Sequence, residues 1–163
     1  MSRKFWIISG IVVAGLVVLG LAGVGGFFLY RQHETRQWLA EGNEAFEKGD
    51  WDTALKRYSY YLNREREDIE ALEKYAQATL NQDGGRRSKL GQAATAYRQI
   101  LHYDPSREDI QEKLFELQKE LGAWDEVHYL AGRMLEKDPD NPDLKYEQAH
   151  ALDRIGNRTE AVE

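Results

Sequence analysis

From Phe5 to Tyr30 the chain carries no charged residue; beyond Tyr30 apolar and polar positions interleave with the spacing of amphipathic helices. Wound as a helix, the apolar block is about 39 Å long against a hydrocarbon core of roughly 30 Å, which predicts one transmembrane helix over residues 5–30. Trp6 and Tyr30 stand near its ends, where amphipathic rings favour the membrane–water boundary. A cleaved secretory signal has a shorter apolar region and a small-x-small cleavage site. Here Gly23-Val24-Gly25 is followed by more apolar residues, so the segment reads as an uncleaved anchor behind a short basic tail, residues 1–4.

Small residues recur along the block at Gly10, Ala14, Ala22 and Gly26. Such a stripe lets helix backbones approach closely and is a candidate packing face within the membrane. Arg3 and Lys4 precede the block and Arg31 and Arg36 follow it. The short basic tail favours an N-terminus on the inside, which puts the rest of the chain on the other face, the periplasmic one in a bacterial inner membrane. From Arg31 to Phe46 there is no proline and only one glycine, Gly42, so the anchor is expected to lead into the next helix without a flexible linker.

The remainder obeys one ruler. Pro105 and Pro139, Gly122 and Gly156, Val127 and Ala161, and Gly42 and Ala76 are each separated by 34 positions. Ala54 to Ala93 and Tyr58 to Tyr97 need 39, and Trp51 to Trp124 needs 73, so a single five-residue insertion between Asn81 and Lys89 reconciles every offset. A period of this length predicts antiparallel helix pairs stacked into a solenoid. Gly42, Ala76 and Ala149 are the small positions that let two helices of a pair approach. Tyr58 and Tyr97 are large core residues, Gly49-Asp50 and Gly122-Ala123 are turns, and Pro105 and Pro139 are helix stops.

With Trp38, Gly42, Gly49-Asp50-Trp51, Ala54 and Tyr58 in its first unit, the chain resembles the tetratricopeptide repeat family. The resemblance implies an all-α fold: an N-terminal transmembrane helix followed, over residues 31–163, by repeats at about 35–68, 69–107 with the insertion, 108–141, and an incomplete 142–163. Leu72, Tyr75, Ala76, Ala93, Tyr97 and Pro105 carry it in the second repeat; Leu114, Gly122, Trp124 and Pro139 in the third, where Phe115 occupies a normally small position. In the family, ligands lie along the surface of the first helices. Matching offsets imply a partner-binding groove of Leu39, Asn43 and Phe46, then Glu73, Lys74 and Gln77, then Glu112, Lys113 and Glu116, then Tyr146, Glu147 and His150. Asn43 matches a residue that chaperone-binding members use to grip a peptide carboxylate. Leu39 replaces the lysine such members need, so that specific function is rejected.

Charge and residue types narrow the rest. The net charge is −6, and removing Arg3 and Lys4 leaves −8 on residues 31–163, which argues against nucleic acid as a partner. There is no cysteine, which excludes disulfides, thiolate metal sites and cysteine nucleophiles. His33, His102, His128 and His150 show no metal-ligand spacing. Gly84-Gly85-Arg86-Arg87-Ser88-Lys89 reads as a basic loop, either a docking loop for an anionic group or a solvated insertion. Tyr60 is a candidate surface contact. The expected function is a membrane-anchored scaffold that assembles or stabilises a protein complex, not an enzyme, with other proteins as partners and no cofactor. An uncapped fourth repeat raises the alternative of an N-terminal regulatory region of a longer enzyme; a secretion- or translocon-associated chaperone-like accessory protein is the third reading.

Overall fold

The protein is described by a computed structural model over residues 31–160. Seven helices follow one another: α1 (31–47), α2 (Trp51–Leu62), α3 (Ile69–Asn81), α4 (Arg86–Tyr103), α5 (Glu108–Leu121), α6 (Trp124–Leu135) and α7 (Pro142–Glu160). Among the described residues no helix is long and apolar enough to cross a membrane. The apolar block 5–30, its stripe Gly10, Ala14, Ala22 and Gly26, and Ala161 lie outside the described residues.

Local chemistry sets the helix ends. Gly49 (φ 72°) and Gly122 (φ 68°) adopt the left-handed conformation that closes α1 and α5, and the aromatic ring two places on, Trp51 or Trp124, lies against each. Asp50 accepts a hydrogen bond from the Thr53 amide at 3.2 Å to start α2. Asp68 does the same for Ala71 at 3.0 Å to start α3. At α7, Asn141 Oδ1 accepts from the Asp143 and Leu144 amides, both at 3.1 Å, and Pro142 fills the first helical position.

Consecutive helices pack on one another from α2 through α7, and α1 joins through Gly42 against Tyr58. One set of buried residues lies under α1–α3 (Ala45, Ala54, Tyr58, Tyr61, Ala71, Ala78). A larger one, centred on Tyr97, Ile100, Ile110, Leu114 and Val127, continues beneath α3–α7. Leu62 and Tyr75 pack against both, so the core is continuous along the stack.

Two expectations are corrected. Asp83, Gly84 and Gly85 do turn the chain, but Arg86-Arg87-Ser88-Lys89 is the first turn of α4, not a loop. The inserted residues mostly lengthen a helix: α4 has 18 residues where α2 and α6 have 12. The second concerns Gly156, which the ruler places at the turn of a fourth hairpin. Instead α7 runs through it to Glu160. Gly49 and Gly122 are followed two places on by a tryptophan that packs on the turn; Gly156 is followed by Arg158, and among the described residues, its own helical backbone and chain neighbours aside, no atom lies within 4 Å of where its β-carbon would be. Accordingly Ala149, the small position of this unit, is exposed rather than packed.

Candidate protein-binding face

The first helix of each pair, α1, α3, α5 and α7, carries the expected groove residues. The structure divides them into three groups. Leu39 and Phe46 pack partly buried against the first core, Phe46 edge-on to Trp51 (5.4 Å) and Tyr58 (6.4 Å). Both thereby contribute to the core packing of the first pair. Asn43, Glu73, Gln77, Lys74, Lys113, Glu116 and Glu147 join a polar network that runs from helix to helix. Glu112 and Tyr146 are exposed, Tyr146 at 67%, with its ring 5.9 Å from that of His150.

The network has one link between each pair of successive first helices. Asn43 Oδ1 accepts from the Tyr58 hydroxyl at 2.9 Å and from Lys74 Nζ at 3.0 Å, while Lys74 also reaches Glu70 at 2.8 Å. Burial pushes the Tyr58 hydroxyl up to about 12, with Glu70 and Glu47 adding to the effect. Between α3 and α5, Glu73 receives Lys113 at 2.7 Å and Arg107 at 2.8 Å, and Arg107 also holds Asp109 at 2.7 Å. Gln77 donates weakly to Glu73 at 3.5 Å. Partial burial pulls the Glu73 carboxyl upward, but the hydrogen bonds from Lys113 and Arg107 outweigh it and hold it below its ordinary value. The Arg107 hydrogen bond lowers Asp109 to about 2. Between α5 and α7, Lys119 binds Glu147 at 2.6 Å and Glu116 at 3.3 Å, and its ammonium lies 5.3 Å from the centre of the Phe115 ring. Glu147 further approaches His150 at 3.9 Å.

Past this last link the face opens into a groove of about 700 Å³ between α5, the α6–α7 turn and α7. Glu112, Glu116 and Glu147 line it, together with Gln111, Phe115, Met134 and Leu144, which the sequence reading did not select. Gln111 carries a signal that was available. Its ruler equivalents in the first two repeats are Trp38 and Leu72, so a polar residue occupies an apolar position.

The basic segment at the start of α4 is engaged within the protein. Arg86 pairs with Glu120 at 2.7 Å, and Lys89 donates to the carbonyls of Leu80 (3.2 Å) and Gln82 (2.6 Å), closing the end of α3. Tyr60 is 41% exposed with its ring 5.6 Å from Trp38. His128 is half-buried with Nδ1 3.3 Å from the Gln148 carbonyl. Among the described residues no cluster of His, Asp and Glu could hold a metal ion.

Solved structures share the fold of stacked helix pairs. The second TPR domain of the human RPAP3 protein, solved in complex with an HSP70 peptide, has a TM-score of 0.51 and 17% identity, covering 74% of this chain and 97% of that domain. The first TPR of Spaghetti (RPAP3), bound to an HSP90 peptide, has a TM-score of 0.50 and 17% identity, covering 76% of this chain and 94% of that one. The fold is that of a tetratricopeptide-repeat (TPR) array. No protein-family model and no curated protein matches the sequence. Within the TPR frame the third pair departs from the first two in its packing. Gly42 faces Tyr58, Ala76 and Tyr97 share a core, and in the third pair the sizes reverse to Phe115 and Ala131, both buried.

Proposed function

We propose that this protein is a membrane-anchored TPR scaffold that holds partner proteins on the face of its first helices. The observation that carries the reading is the groove between α5 and α7, a concave opening at the end of a face otherwise tied from helix to helix. The bound peptides in the two related domains are in keeping with peptide recognition by this fold. The apolar block 5–30 supplies the anchor, and the basic tail before it favours repeats on the far side of the membrane.

The test is purification of the full chain from detergent-solubilised membranes, followed by identification of co-purifying proteins. Recovery in the membrane fraction after a high-salt wash, with defined partners in stoichiometric amounts, is the expected result. A chain that stays soluble without detergent removes the anchor, and a folded chain that recovers no partner removes the scaffold.

A further inference from the structure

The groove between α5 and α7 has a composition that selects its occupant. Six carboxylates line it: Glu108, Glu112, Glu116, Asp138, Asp143 and Glu147. Only two ammonium groups face them. Lys119 is held by Glu147 and Glu116, and Lys137 by Glu108 at 2.8 Å. Glu112, Asp138 and Asp143 have no ion-pair partner among the described residues. The field in the groove is therefore negative, and a second acidic chain would be repelled from it.

An acidic rim alone says little; the floor adds an independent observation. Gln111 is 6% exposed and lines the groove, and none of the side-chain hydrogen bonds described above engages its carboxamide. Its carboxamide atoms are open to the groove, the one buried and unpartnered side-chain polar atom among the described residues being Gln118 Nε2, and an apolar side chain stands at this position in the first two repeats. The carboxamide offers one acceptor oxygen and a donor NH₂, the complement of a peptide group's N–H and C=O. Beside it, Phe115, Met134 and Leu144 supply an apolar patch for one side chain.

We propose that this groove binds an extended, lysine- or arginine-rich segment of a partner protein, with a backbone peptide group on Gln111, one apolar side chain over Phe115 and Leu144, and flanking cations toward Glu112, Glu116 and Asp143. The assignment rests on the scaffold reading and names the chemistry of its partner. Glu112 and Glu116 lie four positions apart on α5, one helical turn, so they present charge along one edge of the floor.

The test uses the full chain in detergent and two fluorescent peptides of about nine residues, roughly 30 Å when extended. Each has a central leucine, flanked by lysines in one and by glutamates in the other. The lysine peptide is expected to bind with an affinity that falls as salt is raised, and the glutamate peptide not to bind. The double variant Glu112→Lys/Glu116→Lys should weaken the lysine peptide by about tenfold or more. Gln111→Leu should weaken it about fivefold while leaving the melting temperature unchanged or higher, which separates a ligand contact from a structural role. Equal binding of both peptides, or lysine-peptide binding indifferent to the charge reversal, overturns the assignment. Partners that co-purify equally well with the charge-reversed chain overturn it too, yet leave the scaffold standing; a parent chain without partners brings down the scaffold instead.

Discussion

Gly42 sits against the ring of Tyr58 so closely that a β-carbon there would stand 3.0 Å from Cε1 and 3.1 Å from Cδ1. The same ruler positions carry Ala76 with Tyr97, then Phe115 with Ala131. Each pair fills one space, from one helix or from the other. Tyr58→Ala alone is expected to cost about 3–5 kcal/mol and Gly42→Phe alone about 3, from cavity and overpacking respectively. The double exchange, which copies the third pair, should cost about 1–3 kcal/mol less than their sum in denaturant unfolding. Strict additivity would show that the two sites do not share a volume.

The three glycines on the turn position should respond with opposite signs. Gly49→Ala and Gly122→Ala force a β-carbon into the left-handed region and should each lose about 1 kcal/mol. Gly156→Ala lies inside α7 in open space and should gain roughly 0.5–1 kcal/mol. Melting curves of the three variants test this directly, and a loss at Gly156 comparable to that at Gly122 would restore the fourth hairpin.

The Asn43 carboxamide links α1, α2 and α3, so its removal leaves the Tyr58 hydroxyl buried without its acceptor. Asn43→Ala is expected to cost about 1–3 kcal/mol. Tyr58→Phe should cost about 1 kcal/mol in the parent and close to nothing in the Asn43→Ala background. Equal costs in both backgrounds would assign Tyr58's role to its ring alone.

Glu73 and Asp109 both titrate below their ordinary values in the folded protein. Groups of this kind bind protons more readily when unfolded, so their stabilisation is full above the unfolded carboxyl range. It is lost as the pH falls through the folded values, for Asp109 about 2. Glu73→Gln should therefore lower stability at neutral pH and flatten its decline below about pH 4. Parallel parent and variant curves down to acid unfolding would contradict the assignment.

Lys89 joins the end of α3 to the added turn of α4 through two carbonyls. Lys89→Met keeps the aliphatic stem and should cost about 1 kcal/mol, read as a shift in the unfolding midpoint. No change would return this segment to the role of a free basic docking site.

What the sequence makes legible follows from what repeats. The helix pairs, the turns at Gly49 and Gly122 and the place of the insertion come from spacing, because packing recurs with it. The added turn of α4 was hidden, since Arg86, Arg87 and Ser88 are exposed and carry no apolar periodicity. Gly156 misled because a glycine's spacing does not disclose whether an aromatic ring will close over it. The groove was half legible: Glu112, Glu116 and Glu147 line it, whereas Leu39 and Phe46 turn inward to the core. Which side chains on a first helix stay open depends on their neighbours' sizes, and only Gln111, polar at an apolar position, betrayed itself by type.

Because packing runs between consecutive helices and the ion pairs reach only one helix further, the stack is a set of elements in series. Tension applied between residue 31 and α7 would cross these junctions in turn, each braced by a link between successive first helices. At the first of these, Arg64 holds the Arg31 carbonyl, Thr35, Glu34 and the face of Trp38 together. The weakest junction, not the sum of all of them, sets the force such a stack withstands.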